Sequence, residues 1–237
     1  GVVLHDTGKF EETVACYRRA LKIKPDFAEA HNNLGLALQE HGQLDDAIAS
    51  YRRVLEIDPG FTDARSNSLL VLNYLSGQLP SDYLEQARQY GRMVAGKAKR
   101  FTTWQCDPRP ERLRVGLVSG DLRVHSVGHF LEGLLSYIDP ARIELIAYPT
   151  HHQEDELTAR IRPCFSAWKS LVGKSDQAAA NLIHDDGVHV LIDISGHTAH
   201  NRLPVFAWKP APVHVTWLGL PNTTGVSEMD YILGDLQ

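Results

Sequence analysis

The chain has 237 residues, of which 43% are hydrophobic and 22% charged, with a formal net charge of −5. That is room for two globular cores, and the mildly acidic balance argues against a nucleic-acid partner. Cys16, Cys106 and Cys164 lie far apart with no C-x-x-C pair, which argues against a disulfide framework or a zinc knuckle and fits a reducing, cytoplasmic setting; no stretch of eighteen apolar residues or opening signal peptide occurs.

In chain order, residues 1–68 carry an internal repeat. Gly8 recurs as Gly42, Ala15 as Ala49, Tyr17 as Tyr51, Arg18-Arg19 as Arg52-Arg53, Leu21 as Leu55, Ile23 as Ile57, Pro25 as Pro59, Phe27 as Phe61 and Ala30 as Ala64, always 34 positions apart. This is the period of tetratricopeptide helix–turn–helix units. In this reading Ala15 and Ala49 let paired helices approach closely. Tyr17, Leu21, Tyr51 and Leu55 form the apolar stripe, and the prolines end one helix and help set the next. One pair cannot bury its own face, so a solenoid of at least three units is expected. Gly1 to Gly8 reads as the tail of a helix, and Tyr231 to Asp235 as a strand entering a loop. The sequence is therefore expected to belong to a longer protein.

Residues 69–110 read as closing helices and a connector. Leu69, Leu70, Leu72, Leu75, Tyr83, Leu84 and Tyr90 are the apolar anchors, Ser81 the expected N-cap, and Phe101 to Arg112 the polar, proline-bearing link. From residue 111 to 237 the rhythm becomes strand–helix–strand. Strands are predicted at Leu113–Ser119, Ile143–Tyr148, Val188–Ile194, Val213–Leu218 and Tyr231–Leu233, with a weaker one at Trp168–Leu171. Helices are predicted at 127–138, 154–161 and 176–186. Such alternation implies a parallel sheet with helices on both faces, a Rossmann-like α/β domain after the helical solenoid.

The stretch from Leu113 to His129, LRVGLVSGDLRVHSVGH, holds the first candidate site residues. An apolar strand ends in Ser119-Gly120-Asp121. Helical spacing then begins, with Phe130, Leu131, Leu134, Leu135 and Ile138 expected on one side. His125 falls past a strand's carboxyl end and before a helix, where ligands collect in open parallel sheets. His125 and His129 read either as cleft groups, a base or a polar anchor, or as capping and surface residues. Asp121 reads as a group orienting a histidine or as a turn former.

Two further loops follow strands. In Asp193-Ile194-Ser195-Gly196-His197-Thr198-Ala199-His200, Gly196 permits a tight turn and close backbone approach. His197 and His200 have H-x-x-H spacing, and His151-His152 lie elsewhere, but no acidic or cysteine partner stands at the spacing a metal site needs. Lys209-Pro210-Ala211-Pro212 stiffens the entry to a strand, and Trp217-Leu218-Gly219-Leu220-Pro221-Asn222 forms a small-residue loop of the kind that lines clefts. No G-x-G-x-x-G, P-loop or nucleophile elbow is present.

The ordered set of 34-residue repeats, RVGLVSGDLRVHSVGH (Arg114–His129), ISGHTAHNRL (Ile194–Leu203), KPAPVHVTWLGLPNTTG (Lys209–Gly225) and MDYILGD (Met229–Asp235) resembles the O-linked N-acetylglucosamine transferases and the related SPINDLY-type protein O-fucosyltransferases. Bacterial members with tetratricopeptide repeats are the nearest by eye. The resemblance implies the N-terminal half of a metal-independent, inverting GT-B glycosyltransferase. It implies sugar transfer from UDP-N-acetylglucosamine, or alternatively GDP-fucose, to Ser or Thr of polypeptides held by the repeats. His125 takes the position of the family's proposed base. His129, Gly196, His197, Thr198, Leu218, Gly219 and Pro221 take substrate-binding positions. Gly196-His197-Thr198-Ala199 stands where many animal members carry G-Y-T-K, nearer the SPINDLY-type and bacterial form. The family's nucleotide-binding domain is C-terminal, so these residues alone are expected to bind donor weakly and not turn over. The competing reading is a non-catalytic scaffold that binds protein partners; convergence of the His125, Gly196 and Gly219 regions on one open cleft at the sheet's carboxyl edge would favour the enzyme, and dispersed sites or a cleft filled by side chains would favour the scaffold.

Overall fold

The computed structural model describes residues 10–77, 79–220 and 222–234, and these divide into two compact units, Gly1–Met93 and Val94–Gln237. The first is helical: α1 Phe10–Ile23, α2 Ala28–Glu40, α3 Leu44–Ile57, α4 Thr62–Leu72 and α5 Pro80–Ala95, with α1 to α4 each packed on the next. Gly1 to Gly8 lies outside the described residues. Pro25 and Pro59 sit in the turns themselves, three residues ahead of the following helix.

Tyr17 and Tyr51 are buried as the repeat requires, but Ala15 and Ala49 are solvent-exposed. They repeat without making the contact expected of them. Close approach comes from Gly35 on α2, where an added Cβ would meet the Tyr51 ring at 2.5 Å, and from fully buried Ala47. The Tyr51 hydroxyl donates to Gln39 Oε1 at 3.0 Å, so the ring cannot simply swing aside. Gly35→Ala should therefore lose about 1–3 kcal/mol through overpacking, despite alanine's better helix propensity. Denaturant unfolding followed by helical circular dichroism would read this; an unchanged or raised midpoint would show that the ring yields. Ser81 is not the N-cap of α5. The helix starts one residue earlier, on Pro80, whose preset φ suits a first helical position.

The second unit is a six-stranded parallel sheet: β1 Leu113–Ser119, β2 Ile143–Pro149, β3 Ala167–Trp168, β4 Val190–Asp193, β5 Val213–Thr216 and β6 Tyr231–Ile232. The strand order is β3-β2-β1-β4-β5-β6, that of a Rossmann sheet. Its helices are α6 Ser126–Leu135, α7 Glu156–Ile161, α8 Asp176–Asp185 and the unanticipated short α9 Leu203–Phe206, with a 3-10 turn at Arg162–Cys164.

The five apolar residues expected on one side of α6 do not all face the core. Leu131 and Leu135 are buried and Ile138 packs against the core, whereas Phe130 is 68% and Leu134 42% exposed. At about 100° per residue the five positions span an arc wider than the sheet can cover. β5 stops at Thr216 because Leu218 has φ 68°, left-handed backbone that no strand continues through. The connector of residues 101–112 lies with the sheet unit. The Phe101 amide donates to the Trp208 carbonyl at 2.8 Å and the Trp104 indole to the Lys209 carbonyl at 2.9 Å. His189 is satisfied at both nitrogens, by the Arg114 amide at 3.0 Å and the Asp107 carbonyl at 2.9 Å.

Candidate active site

In an open α/β sheet the strand order reverses direction at a switch point, where adjacent connections leave toward opposite faces and open a crevice. Here that point lies between β1 and β4, whose parallel register pairs Val118 with Asp193. The loops leaving these two strands are tied across the gap. Ser119 Oγ and Ser195 Oγ are 3.2 Å apart, and the Ile194 amide donates to the Val118 carbonyl at 3.2 Å.

Asp193 organises the β4 loop. Its carboxylate is fully buried and accepts from the Ser195 amide at 3.2 Å, the Gly196 amide at 2.9 Å and the Thr216 hydroxyl at 2.9 Å. Burial raises its pKa to about 6, against the opposing pull of those donors. Reading the sequence ended β4 in this region but gave Asp193 no role; an acid two residues before a Ser-Gly turn is the signal that was available.

His125 is the N-cap of α6. Its backbone is extended and Nδ1 accepts from the Val127 amide at 3.3 Å. The capping reading therefore holds, and the cap stands just past the carboxyl end of β1. Asp121 Oδ2 lies 3.8 Å from the same Nδ1, and the Asp121 carboxylate is also 3.8 Å from an Arg123 guanidinium nitrogen. Asp121 is buried, and its amide donates to Ser119 Oγ at 3.0 Å. Gly128 explains the small residue inside H-S-V-G-H. A Cβ there would run into the Arg123 and Asp121 carbonyls, so the loop can lie across the first turn of α6 only over glycine. His129 is exposed, one turn on, and its ring is 3.9 Å from Glu132.

The β4 and β5 loops interlock. Gly196 has φ 60° with Leu220 Cβ 2.8 Å from where its own Cβ would be, and a Cβ on Gly219 would strike the Ser195 backbone. Leu218 is half-buried, Thr198 donates its hydroxyl to the Ser195 carbonyl at 2.9 Å, and Pro221 lies outside the described residues. His197 is withdrawn from the surface: its ring is buried and Nε2 is 3.1 Å from the Thr224 carbonyl, clasping the far end of the β5 loop. A contact from His197 to a ligand would need that clasp opened, whereas Thr198 is half-buried and Ala199 exposed.

Burial holds the His197 pKa down, to about 4. An unfolded histidine titrates near 6.5, so between these values the unfolded chain binds the extra proton. The contribution of neutral His197 is thus present above about pH 6.5 and is lost as pH falls toward 4. His197→Gln keeps an amide donor for Thr224 and has no charge to gain. The destabilisation between pH 7 and pH 5 should be smaller in this variant than in the parent, measured by thermal melts at both pH values; equal losses would place the acid sensitivity elsewhere.

Sequence reading also missed a histidine cluster beside Asp121. The His151 ring is 4.3 Å from that of His200 and 4.5 Å from that of His152, and the Thr150 hydroxyl donates to the His200 carbonyl at 2.6 Å. Burial first, then neighbouring positive groups, hold His151 below its ordinary pKa, and burial does the same for His200. His200 crosses over Gly120, where a Cβ would come within 2.8 Å of its own. Among the described residues no group of three or more His, Cys, Asp or Glu is arranged to hold a metal, and no helix is long and apolar enough to cross a membrane. In the helical unit Asn67 Nδ2 donates to Asn32 Oδ1 at 3.3 Å, pairing side-chain amides of α4 and α2.

The model of glycosyl transferase family 41 matches residues 92–237, more than half of the chain. The chain belongs to that family. Models of tetratricopeptide repeats match residues 1–42 and 28–61. Among curated family relatives, the Arabidopsis thaliana protein called probable UDP-N-acetylglucosamine–peptide N-acetylglucosaminyltransferase SPINDLY is 34% identical over 70% of this chain and 19% of its own length. The Caenorhabditis elegans UDP-N-acetylglucosamine–peptide N-acetylglucosaminyltransferase is 35% identical over 53% of this chain and 11% of its own. The solved O-GlcNAc transferase of Thermobaculum terrenum, a point mutant, is 36% identical with a TM-score of 0.91, over 99% of this chain and 45% of that one. This family member thus spans under half of its relatives' lengths, and its repeats and six-stranded sheet correspond to the N-terminal half of a GT-B fold.

Proposed function

We propose that the protein transfers N-acetylglucosamine from UDP-N-acetylglucosamine to Ser or Thr hydroxyls of polypeptides held by the repeats, with inversion at the anomeric carbon. One observation carries this reading: in a family 41 chain, the histidine-capped start of α6 stands at the switch point of the sheet, beside the interlocked β4 and β5 loops. An inverting transfer needs a hydroxyl held in line with the anomeric carbon and a group near its proton. His125 has the chemistry for the second task. Thr198, Leu218, Gly219 and Pro221 belong to the loops that frame the sugar in this reading, and His129 is assigned to the same substrate site. The paired amides of Asn32 and Asn67 offer the donors and acceptors that an extended peptide backbone matches.

The leaving diphosphate calls for positive or dipolar groups, and this reading assigns them to residues beyond these 237, with no metal taking part. On that basis the isolated chain binds donor weakly and does not turn over. A cytoplasmic site of action belongs to the same reading, supported by cysteines that are all unpaired.

The test uses the full-length protein with UDP-N-acetylglucosamine and, separately, GDP-fucose, the second donor chosen because Gly196-His197-Thr198-Ala199 resembles the SPINDLY-type form. Mass spectrometry of a mixed protein acceptor reads the sugar. Transfer from the first donor, reduced roughly 100-fold or more in His125→Ala, is the expected result. Transfer from GDP-fucose alone would reassign the donor. No transfer from either, with peptide still bound, would leave a scaffold.

A further inference from the structure

We infer that Asp121 is the positioning residue that makes His125 competent as a base, an inference that rests on the reading just given. With Nδ1 accepting from the Val127 amide, the neutral ring carries its proton on Nε2. In that state the ring presents a donor and has no lone pair for a substrate hydroxyl. A base needs Nε2 free, so the proton must sit on Nδ1 and find an acceptor there. Asp121 Oδ2, 3.8 Å from Nδ1, is the acceptor the fold supplies. Closing that gap by about 1 Å makes an ordinary hydrogen bond.

The two partners differ in mobility in the way such a switch requires. The Asp121 side chain is 7% exposed and the His125 side chain 41%. Asp121 is anchored through its amide to Ser119 Oγ, and its carbonyl lies tight against Gly128. His125 is therefore the group that turns, leaving the Val127 amide for the carboxylate.

The surrounding charges leave this pairing open. Arg123 approaches Asp121 to 3.8 Å, and His151 and His200 feel the same carboxylate from the β2 and β4 loops. Asp155 on α7 is engaged by the Val124, Leu157 and Thr158 amides, and His129 on α6 pairs with Glu132. Neither competes for Nδ1.

The step balances simply. The acceptor hydroxyl oxygen forms a bond to the anomeric carbon as the bond to the diphosphate oxygen breaks, and the diphosphate leaves with that electron pair. The hydroxyl proton passes to His125 Nε2, giving an imidazolium whose Nδ1–H rests on Asp121. Solvent then takes the proton.

The decisive variant is Asp121→Asn, whose amide can donate to Nδ1 and lock the proton on Nε2. Two readouts are taken. Nitrogen-15 spectra of the histidine rings in this chain report the His125 tautomer. Beside the Nε2–H form seen here, a measurable Nδ1–H population is expected in the parent and at least tenfold depleted in Asp121→Asn; an unchanged ratio overturns the pairing. In the full-length protein kcat is expected to fall about 100-fold or more with the peptide KM within about twofold, and Asp121→Glu to recover part of the loss. A fall in kcat without a tautomer change would make Asp121 merely structural and overturn the inference. If the parent transfers no sugar, the enzyme reading fails while the ring spectra still decide the pairing.

Discussion

Gly219→Ala is expected to lower the melting temperature of the sheet unit by roughly 10 °C, the equivalent of about 3 kcal/mol for a domain of this size. The added methyl has no space, because it would fall on the Ser195 backbone where the β5 loop passes over the β4 loop. A flexible side chain can rotate out of such a clash, but a peptide unit moves only with its strand, and Ser195 is fastened through Asp193 to the end of β4. The loops that frame the switch point should part, so donor-dependent function should fall with stability. The matched control is Gly133→Ala on α6, where nothing lies within 4 Å of the new methyl and helix propensity predicts a gain of up to about 1 kcal/mol. Scanning calorimetry of both variants makes the comparison, and a Gly219→Ala protein melting with the parent would refute the close crossing.

Asp193→Ala is expected to cost roughly 3–5 kcal/mol. It strips the Ser195 and Gly196 amides and the Thr216 hydroxyl of their acceptor in a place water does not reach. Asp193→Asn keeps one acceptor oxygen and should cost less. The pH dependence separates this carboxyl from the buried histidines. Its folded pKa, raised to about 6 chiefly by burial, exceeds the unfolded value near 3.9, so the folded state binds its proton more tightly. This contribution is fully present below about pH 4 and lost as pH rises through about 6, the opposite slope to that of His197. The stability gap between the parent and Asp193→Asn should therefore widen as pH falls from about 6 to 4, measured by denaturant midpoints across that window. A gap independent of pH would mean that Asp193 titrates as an ordinary surface acid.

Much of the architecture was legible because it depends on local periodicity. The 34-residue repeat announced the helical pairs, and strands such as Leu113–Ser119 matched residue for residue, since dense apolar runs bounded by Ser-Gly-Asp leave few alternatives. The failures share a cause. Ala15 and Ala49 recur in register yet face solvent, and Phe130 and Leu134 carry the helical apolar spacing yet stay exposed. A one-dimensional pattern says that positions share a side, and only the neighbouring element decides how wide a side is covered.

The site divides in the same way. His125 at a strand's carboxyl end and helix start, and Gly196 and Gly219 in loops that need close backbone approach, follow from residue type and spacing within one segment. The joining of Ser119 to Ser195, of Gly219 to the Ser195 backbone and of Asp121 to the His151–His200 cluster links segments up to about 80 positions apart in sequence. By itself the sequence determined the order of helical repeats and α/β sheet and the segments that bear chemistry, because these rest on backbone preference and the burial of apolar side chains. Only the tertiary structure decided that β1 lies beside β4, since strand order is a non-local choice, and with it that Asp193 is a buried clamp and His197 a clasp.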